Sequence, residues 1–213
     1  MKTSLKAVVF DYGGVLSLYQ SAEDAARLAL MAGIPDDAFA DTYWGYRDAY
    51  DRGDLDGVAY WRAIAEAAGR IFSSAQIKRL IDTDNLSWGV ERGVMVRYLE
   101  QLAATGMTTA LISNMSADFR DFARDQFDWL TLFKAVTLSC NVGRVKPDAA
   151  IYLHCLAALG VAPADALFVD DRLDNVEGAR RVGMRAVRFE TPAALAATLD
   201  EHYDLPPLDV SPQ

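Results

Sequence analysis

Two kinds of hydrophobic pattern divide the chain. A short apolar run at residues 5–10 stops at Asp11 and is followed by two glycines, which is typical of a buried strand that ends in a tight loop. From about residue 21 to residue 102 the apolar positions recur at helical spacing, with breaks near 33–35, 52–54 and 84–89. This pattern predicts one strand followed by a long helical stretch that contains no strand.

After Gly106 the pattern alternates between strand and helix. The predicted strands cover 108–112, 135–138, 166–169 and 186–189, and the predicted helices cover 117–126, 149–159, 175–182 and a last segment that starts at Thr191-Pro192. Such alternation predicts a doubly wound parallel sheet with helices on both faces, because each right-handed crossover must pack back onto the sheet. The tail beyond Tyr203 is predicted to be irregular.

The first helical stretch does not fit this alternation, so we interpret it as an insertion. The predicted fold is therefore α/β, with a Rossmann-like core formed by residues 1–16 and 91–213 and a small α-helical cap formed by residues 17–90. A chain of 213 residues is long enough for one core domain with such an insertion.

Composition narrows the classes of partner. The formal charge of −9 argues against nucleic acid or an anionic membrane as a partner, and the N-terminal apolar run is too short for a signal or a membrane span, so we expect a cytoplasmic protein. Cys140 and Cys155 lack the spacing of a zinc site or a disulfide scaffold and are predicted to be free thiols. Both His154 and His202 are expected to have no catalytic role.

Polar residues follow the carboxyl ends of four predicted strands, where ligands bind in open parallel sheets. They are Asp11, Ser113-Asn114, Lys146 and Asp170-Asp171. Together they would offer a carboxylate nucleophile, a hydroxyl donor, a fixed cation and an acidic pair that can hold a hard metal ion. This combination suits a phosphoryl group, whose negative charge Mg²⁺ and the lysine would neutralise.

Four segments resemble the successive motifs of the haloacid dehalogenase superfamily. They are Phe10-Asp11-Tyr12-Gly13-Gly14-Val15-Leu16, Leu111-Ile112-Ser113-Asn114, Lys146-Pro147-Asp148 and the run from Phe168 to Asn175, and they span nearly the whole chain in the right order. The inserted helices are similar to the small cap of one branch of that superfamily. The resemblance implies a Mg²⁺-dependent phosphatase that acts on a small phosphorylated metabolite through an aspartyl-phosphate.

The resemblance also implies a role for each matching residue. Asp11 would be the nucleophile and Lys146 a catalytic cation. A metal ion would be held by Asp11, the carbonyl of Gly13 and Asp171, with Asp170 and Asn175 as outer partners. Ser113, the backbone N–H of Asn114 and Lys146 would bind the phosphoryl oxygens.

Gly13 departs from the phosphatase pattern, in which a second aspartate at this position serves as general acid. Loss of the general acid should slow the reaction by about 100- to 10,000-fold unless another group replaces it. If this glycine has a positive φ, the backbone would oppose a substitution that restores the aspartate. Two alternatives therefore stay open: a 2-haloacid dehalogenase-like hydrolase, and a weakly active phosphate-binding protein. The retained Asp170-Asp171 pair favours phosphatase activity, with sugar phosphates such as glucose 1-phosphate as substrates by analogy.

The aromatic cluster in the predicted cap has two interpretations. Tyr43, Trp44, Tyr46 and Arg47 either line the cap side of the pocket and select the substrate, or form the hydrophobic core of the cap.

Overall fold

A computed structural model describes residues 2–211 of the chain. Five parallel strands form one sheet in the order β3-β2-β1-β4-β5. The strands are β1 (Ala7–Phe10), β2 (Thr108–Ser113), β3 (Ala135–Leu138), β4 (Ala166–Asp170) and β5 (Arg185–Arg188). The helices are α1 (Ala22–Ala32), α2 (Asp36–Gly45), α3 (Arg47–Arg52), α4 (Gly57–Ala67), α5 (Ser74–Trp88), α6 (Gly93–Ala104), α7 (Ala117–Gln126), α8 (Ser139–Val142), α9 (Ala149–Leu159), α10 (Leu173–Arg181) and α11 (Pro192–His202).

The sheet is covered on both faces, which confirms the predicted α/β fold. Every residue of β1 and β4 is buried, as expected for central strands of a parallel sheet between two helical layers. Val8 and Phe10 point into one hydrophobic cluster, whereas Ala7 and Val9 point into a second cluster on the opposite face. The N-cap of α11 is Thr191 followed by Pro192, as predicted.

Helices α1 to α5 surround a third hydrophobic cluster, which is separate from the two that cover the sheet. Its largest members include Tyr43, Tyr60 and Trp61. Two connections join these helices to the core, and they lie side by side where Ser17 forms an antiparallel bridge with Glu91. The division of the chain at residues 17 and 90 stays a prediction.

The predicted breaks in the helical stretch are partly wrong. Gly33 and Gly53 end α1 and α3 in the left-handed conformation, which agrees with the predicted breaks near 33–35 and 52–54. In contrast, α5 continues without interruption through the predicted break at 84–89 and ends only at Trp88. The polar residues of that stretch, Asp84 and Asn85, are buried by contacts with other elements and therefore do not mark a loop.

The two cysteines are free, as predicted. Among residues 2–211, no helix combines the length and the hydrophobicity that crossing a membrane requires.

Candidate active site

The carboxyl ends of the central strands border a cavity of about 330 Å³ between the sheet and the inserted helices. Asp11 directly follows β1, Ser113 ends β2 and Asp170 ends β4, whereas Lys146 lies in the loop that follows α8. The predicted site residues that line this cavity are Asp11, Gly13, Ser113, Asn114, Lys146, Asp171 and Asn175. Asp170 is fully buried behind them. The structure thus brings all the predicted residues together.

Lys146 lies at the centre of the site. Its Nζ atom is 2.6 Å from Asp11 Oδ1 and 2.7 Å from Asp170 Oδ2, and it donates a hydrogen bond to the carbonyl of Ile112 at 3.2 Å. Burial lowers the pKa of Lys146, but the two carboxylates raise it more, so the net shift is upward. The side chain is therefore a fixed cation that is paired on two sides.

Asn114 holds the backbone of Lys146 in place. Its Nδ2 donates to the carbonyl of Lys146 at 3.2 Å, and its Oδ1 accepts from the Lys146 backbone N–H at 2.7 Å. The backbone N–H of Asn114 itself has no acceptor among the described residues and is free for a ligand. The amide side chain of Asn114 therefore has a structural role that the sequence analysis did not foresee.

Three carboxylates meet beside this lysine. Asp11, Asp170 and Asp171 each offer an oxygen within 4.8 Å of the others. Asp170 accepts two hydrogen bonds from Nδ2 of Asn175, both at 3.0 Å, in addition to its pair with Lys146. Burial raises the pKa of Asp11 and of Asp171, and neighbouring carboxylates add to both shifts. One lysine therefore faces three acids, and the pKa of Asp11, raised to about 8, favours a proton on that carboxylate as long as no cation is bound.

One atom of this cluster is without a partner. Oδ1 of Asp171 is buried and has no hydrogen-bond donor in the described part of the chain. A buried carboxylate oxygen left in this way is costly unless a cation or a donor approaches it. Oxygen atoms are the ligands that Mg²⁺ prefers, so the residues present fit a divalent cation at this position.

Asp11 is oriented through one of its two oxygens. Oδ1 accepts from the backbone N–H of Tyr12 at 2.7 Å and pairs with Lys146. Oδ2 accepts no hydrogen bond from residues 2–211, which leaves this oxygen free to react or to bind a metal ion.

The two glycines after Asp11 differ in what their backbones require. Gly13 has φ −65° and ψ 126°, an extended conformation open to any residue, so the positive φ considered for it is wrong. Gly14 has φ 77°, and a Cβ atom there would lie 2.9 Å from Cγ of Asp171. Gly14 is therefore the position that demands glycine.

The rest of the cavity wall comes from the inserted helices and their connections. It contains Tyr19, Trp44, Arg47, Asp48, Asp51 and Trp88. Trp44 and Arg47 thus line the cavity, as the first interpretation of the aromatic cluster predicts. Tyr43 is buried behind them, and Tyr46 packs against the cluster of the inserted helices, as the second interpretation predicts.

Arg47 is held by a buried network. Its Nε donates to Asp51 at 3.0 Å, and its Nη1 donates to the hydroxyl of Tyr43 at 2.7 Å and to Asp84 at 3.3 Å. The guanidinium also lies 5.4 Å from the ring centre of Trp88. Two acids compensate its charge, so Arg47 shapes the wall more than it adds positive charge to it.

Tyr19 and Trp88 are site residues that the sequence analysis missed. The hydroxyl of Tyr19 donates a hydrogen bond to Oδ2 of Asp171, and its ring meets the edge of Trp88 at 6.1 Å. Neither residue belongs to a motif: Tyr19 lies in the connection that leads into α1, and Trp88 is the last residue of α5. Trp88 sits in the stretch that was predicted to be a break, so its sequence context carried no signal.

Comparisons with known proteins agree with this arrangement. The family model of the haloacid dehalogenase-like hydrolases matches residues 5–183. The sesquiterpene phosphatase astK of Aspergillus oryzae is 27% identical over 86% of this chain and 89% of its own length. Some curated relatives are much longer, and the match spans 27% of the length of one of them and 10% of another.

Solved structures show the same fold. An enzyme from Bacteroides thetaiotaomicron, bt-2542, which was solved as an Asp-to-Ala variant with magnesium and inorganic phosphate, superposes with a TM-score of 0.74 at 20% identity, over 88% of this chain and 95% of its own. The L-2-haloacid dehalogenase of Xanthobacter autotrophicus gives 0.65 at 24% identity, over 95% and 85%. With the family match over residues 5–183, these findings establish that the chain belongs to the haloacid dehalogenase-like hydrolases.

Proposed function

We propose that this enzyme is a Mg²⁺-dependent phosphatase that removes phosphate from a small metabolite through an aspartyl-phosphate on Asp11. The observation that carries the proposal is the unbalanced acidic cluster, in which the buried Oδ1 of Asp171 has no partner in the described structure. Displacement of a halide by a carboxylate has no need of a second acid beside the nucleophile. A cluster of acids that fits a hard cation favours phosphoryl transfer over the dehalogenase alternative.

The metal ion would be held by Asp11, the carbonyl of Gly13 and Asp171, while Asp170 and Asn175 support the cluster from behind. When bound, Mg²⁺ supplies positive charge that reduces the repulsion between the anionic nucleophile and the phosphate. Asp170 is already committed to Lys146 and Asn175, which suits the role of an outer partner.

The residues of the chain divide the remaining work. The free Oδ2 of Asp11 would attack phosphorus, so that an O–P bond forms to Asp11 while the bond from phosphorus to the leaving oxygen breaks. Ser113 Oγ and the free N–H of Asn114 would hold the phosphoryl oxygens during this transfer, while Lys146 Nζ, already surrounded by three partners, would stabilise them through its positive charge. Water then hydrolyses the acyl phosphate, which releases inorganic phosphate and restores the carboxylate.

The cavity supports a small substrate. Its volume of about 330 Å³ is near the lower end of the range of roughly 300–1,000 Å³ that small-molecule sites occupy. Trp44 and Trp88 would face the leaving group with apolar ring surfaces, whereas Asp48 and the Arg47–Asp51 pair offer polar contacts. A sugar phosphate matches this mixture, which agrees with the expectation from the resemblance.

Activity should depend on magnesium and should be confined to phosphate esters. We expect the purified protein to hydrolyse p-nitrophenyl phosphate with Mg²⁺ and to lose at least about 100-fold of this rate in excess chelator, because the clustered carboxylates would then repel the phosphate. A parallel assay should detect no halide release from 2-chloropropionate. Chelator-insensitive halide release without phosphatase activity would favour the dehalogenase instead.

The missing general acid at Gly13 should be measurable as a dependence on the leaving group. In the wild type, the ratio of kcat/KM for an aryl phosphate to that for an alkyl phosphate should be large, because a good leaving group departs without protonation. Gly13→Asp should reduce this ratio by about 10-fold or more, since an acid is restored. The backbone permits the change, because a Cβ on Gly13 meets only the ring of Trp88 at 4.0 Å.

The matched control is Gly13→Asn, which adds a side chain of the same size that cannot donate a proton as an acid. Asn should leave the ratio at the wild-type value. If Asp and Asn change the ratio equally, shape and not proton transfer is responsible. An unchanged ratio in a folded Gly13→Asp protein would mean that another group already protonates the leaving oxygen.

A further inference from the structure

Tyr19 contacts only one of the two carboxylate oxygens of Asp171. Its hydroxyl donates to Oδ2, whereas Oδ1 of the same carboxylate is buried and has no partner among residues 2–211. Tyr19 lies in the short segment between the turn at Tyr12–Leu16 and α1. It is not part of the motifs that carry the family resemblance.

The surroundings of the ring keep this contact in place, although 54% of the side chain is exposed. One edge of the ring lies 3.0 Å from the point where a Cβ on Gly14 would be, so the glycine makes room for Tyr19 as well as for Asp171. The other side packs against Trp88 with 6.1 Å between ring centres. The phenol thus lies between Gly14 of the nucleophile loop and Trp88.

We propose that Tyr19 is a positioning residue that fixes the carboxylate of Asp171 with Oδ1 turned toward the cation. The inference rests on the proposed function, because it takes Asp171 as a metal ligand. A hydrogen bond to one oxygen of a metal-binding carboxylate orients the other oxygen toward the metal ion. The carboxylate then loses less conformational freedom when the ion binds. Without the hydroxyl, the carboxylate of Asp171 would be free to rotate at its partly exposed end.

The geometry also allows the opposite role, in which Tyr19 hinders metal binding. The two roles predict changes of metal affinity in opposite directions when the hydroxyl is removed. If the hydroxyl instead occupied the space of the cation, binding would require Tyr19 to leave, and its removal would strengthen metal affinity. The buried position of the unpartnered Oδ1 favours the positioning role, because the oxygen bound by Tyr19 is the other one.

The experiment measures Mn²⁺ binding to metal-free protein without substrate, by electron paramagnetic resonance of the free ion. Tyr19→Phe retains the ring and removes only the hydroxyl, and we expect it to raise the Kd for Mn²⁺ about 10-fold, as loss of an outer partner typically does. Asp171→Asn should nearly abolish binding. An unchanged or lower Kd in Tyr19→Phe would overturn the inference.

Tyr46→Phe is the matched control, since the hydroxyl of Tyr46 makes no hydrogen bond within the described residues and lies away from the cavity lining. It should bind Mn²⁺ like the wild type, and thermal unfolding should show that all variants are folded. Tight Mn²⁺ binding by both the wild type and Tyr19→Phe would reject only the role of Tyr19. Failure of the wild type to bind Mn²⁺ would reject that role together with the proposed metal site.

Discussion

Asp11→Asn should lower phosphatase turnover on the order of 10⁴-fold or more, which is the loss expected when the residue that forms the covalent bond is removed. An amide is neither an effective nucleophile nor an anionic ligand, so the change removes both the attacking oxygen and one carboxylate of the metal site. The fold should survive, because Lys146 keeps its pair with Asp170 at 2.7 Å. Removing one of three crowded acids also relieves repulsion inside the site.

The measurement is kcat for p-nitrophenyl phosphate in saturating Mg²⁺, together with acid-quench trapping of phosphate on the protein. Wild-type protein should carry acid-stable, alkali-labile phosphate during turnover, and the variant should carry none. Asp174→Asn is the control, because Asp174 is an exposed acid on α10 that does not line the cavity. Phosphate trapped on Asp11→Asn protein at the wild-type level would place the nucleophile elsewhere.

The core and the convergence of the site were predictable from the sequence for one physical reason. In a parallel sheet all strands end at the same edge, so any polar residue that ends a buried apolar run must lie near the others. Asp11, Ser113 and Asp170 each follow or end such a run, and the structure brings them together at one edge of the sheet, with Asp11 and Ser113 lining the cavity and Asp170 buried behind them. The place of each polar residue at the end of an apolar run was therefore enough to predict its place in the fold.

The wall of the cavity could not be predicted in this way, because it is made by contacts between residues far apart in the chain. The hydroxyl of Tyr43 bonds Asp84 at 2.7 Å, and this contact keeps a polar residue inside a helix where the pattern suggested a break. The sequence also did not show that Gly13 and Gly14 differ in backbone conformation. The positions of Asp171 and Tyr19 around the loop show which of the two glycines has no space for a side chain.

Lys146→Met should combine a loss of activity with a loss of stability in metal-free protein. The side chain is 1% exposed and pairs with Asp11 and Asp170, so its removal leaves two buried carboxylates without their cation. Breaking a buried pair in this way costs about 3–5 kcal/mol of unfolding free energy. Loss of the positive charge beside the phosphoryl group should further reduce kcat by about 10²–10³-fold.

The two effects can be separated by a second substitution. In Lys146→Met/Asp170→Asn, one uncompensated charge is gone, so urea unfolding in chelator should show most of the stability restored, while phosphatase activity stays low. Adding Mg²⁺ should also stabilise the single variant, because a bound cation replaces part of the missing charge.

Lys78→Met, which breaks an exposed ion pair with Asp82, should change the free energy of unfolding by less than about 1 kcal/mol. This control shows what the loss of a lysine costs at the surface. If Lys146→Met were as stable as this control in chelator, the acids around it would have to be neutral in the metal-free enzyme. The pairs of Lys146 with Asp11 and Asp170 would then not stabilise the metal-free fold, and the expected loss of stability would be wrong.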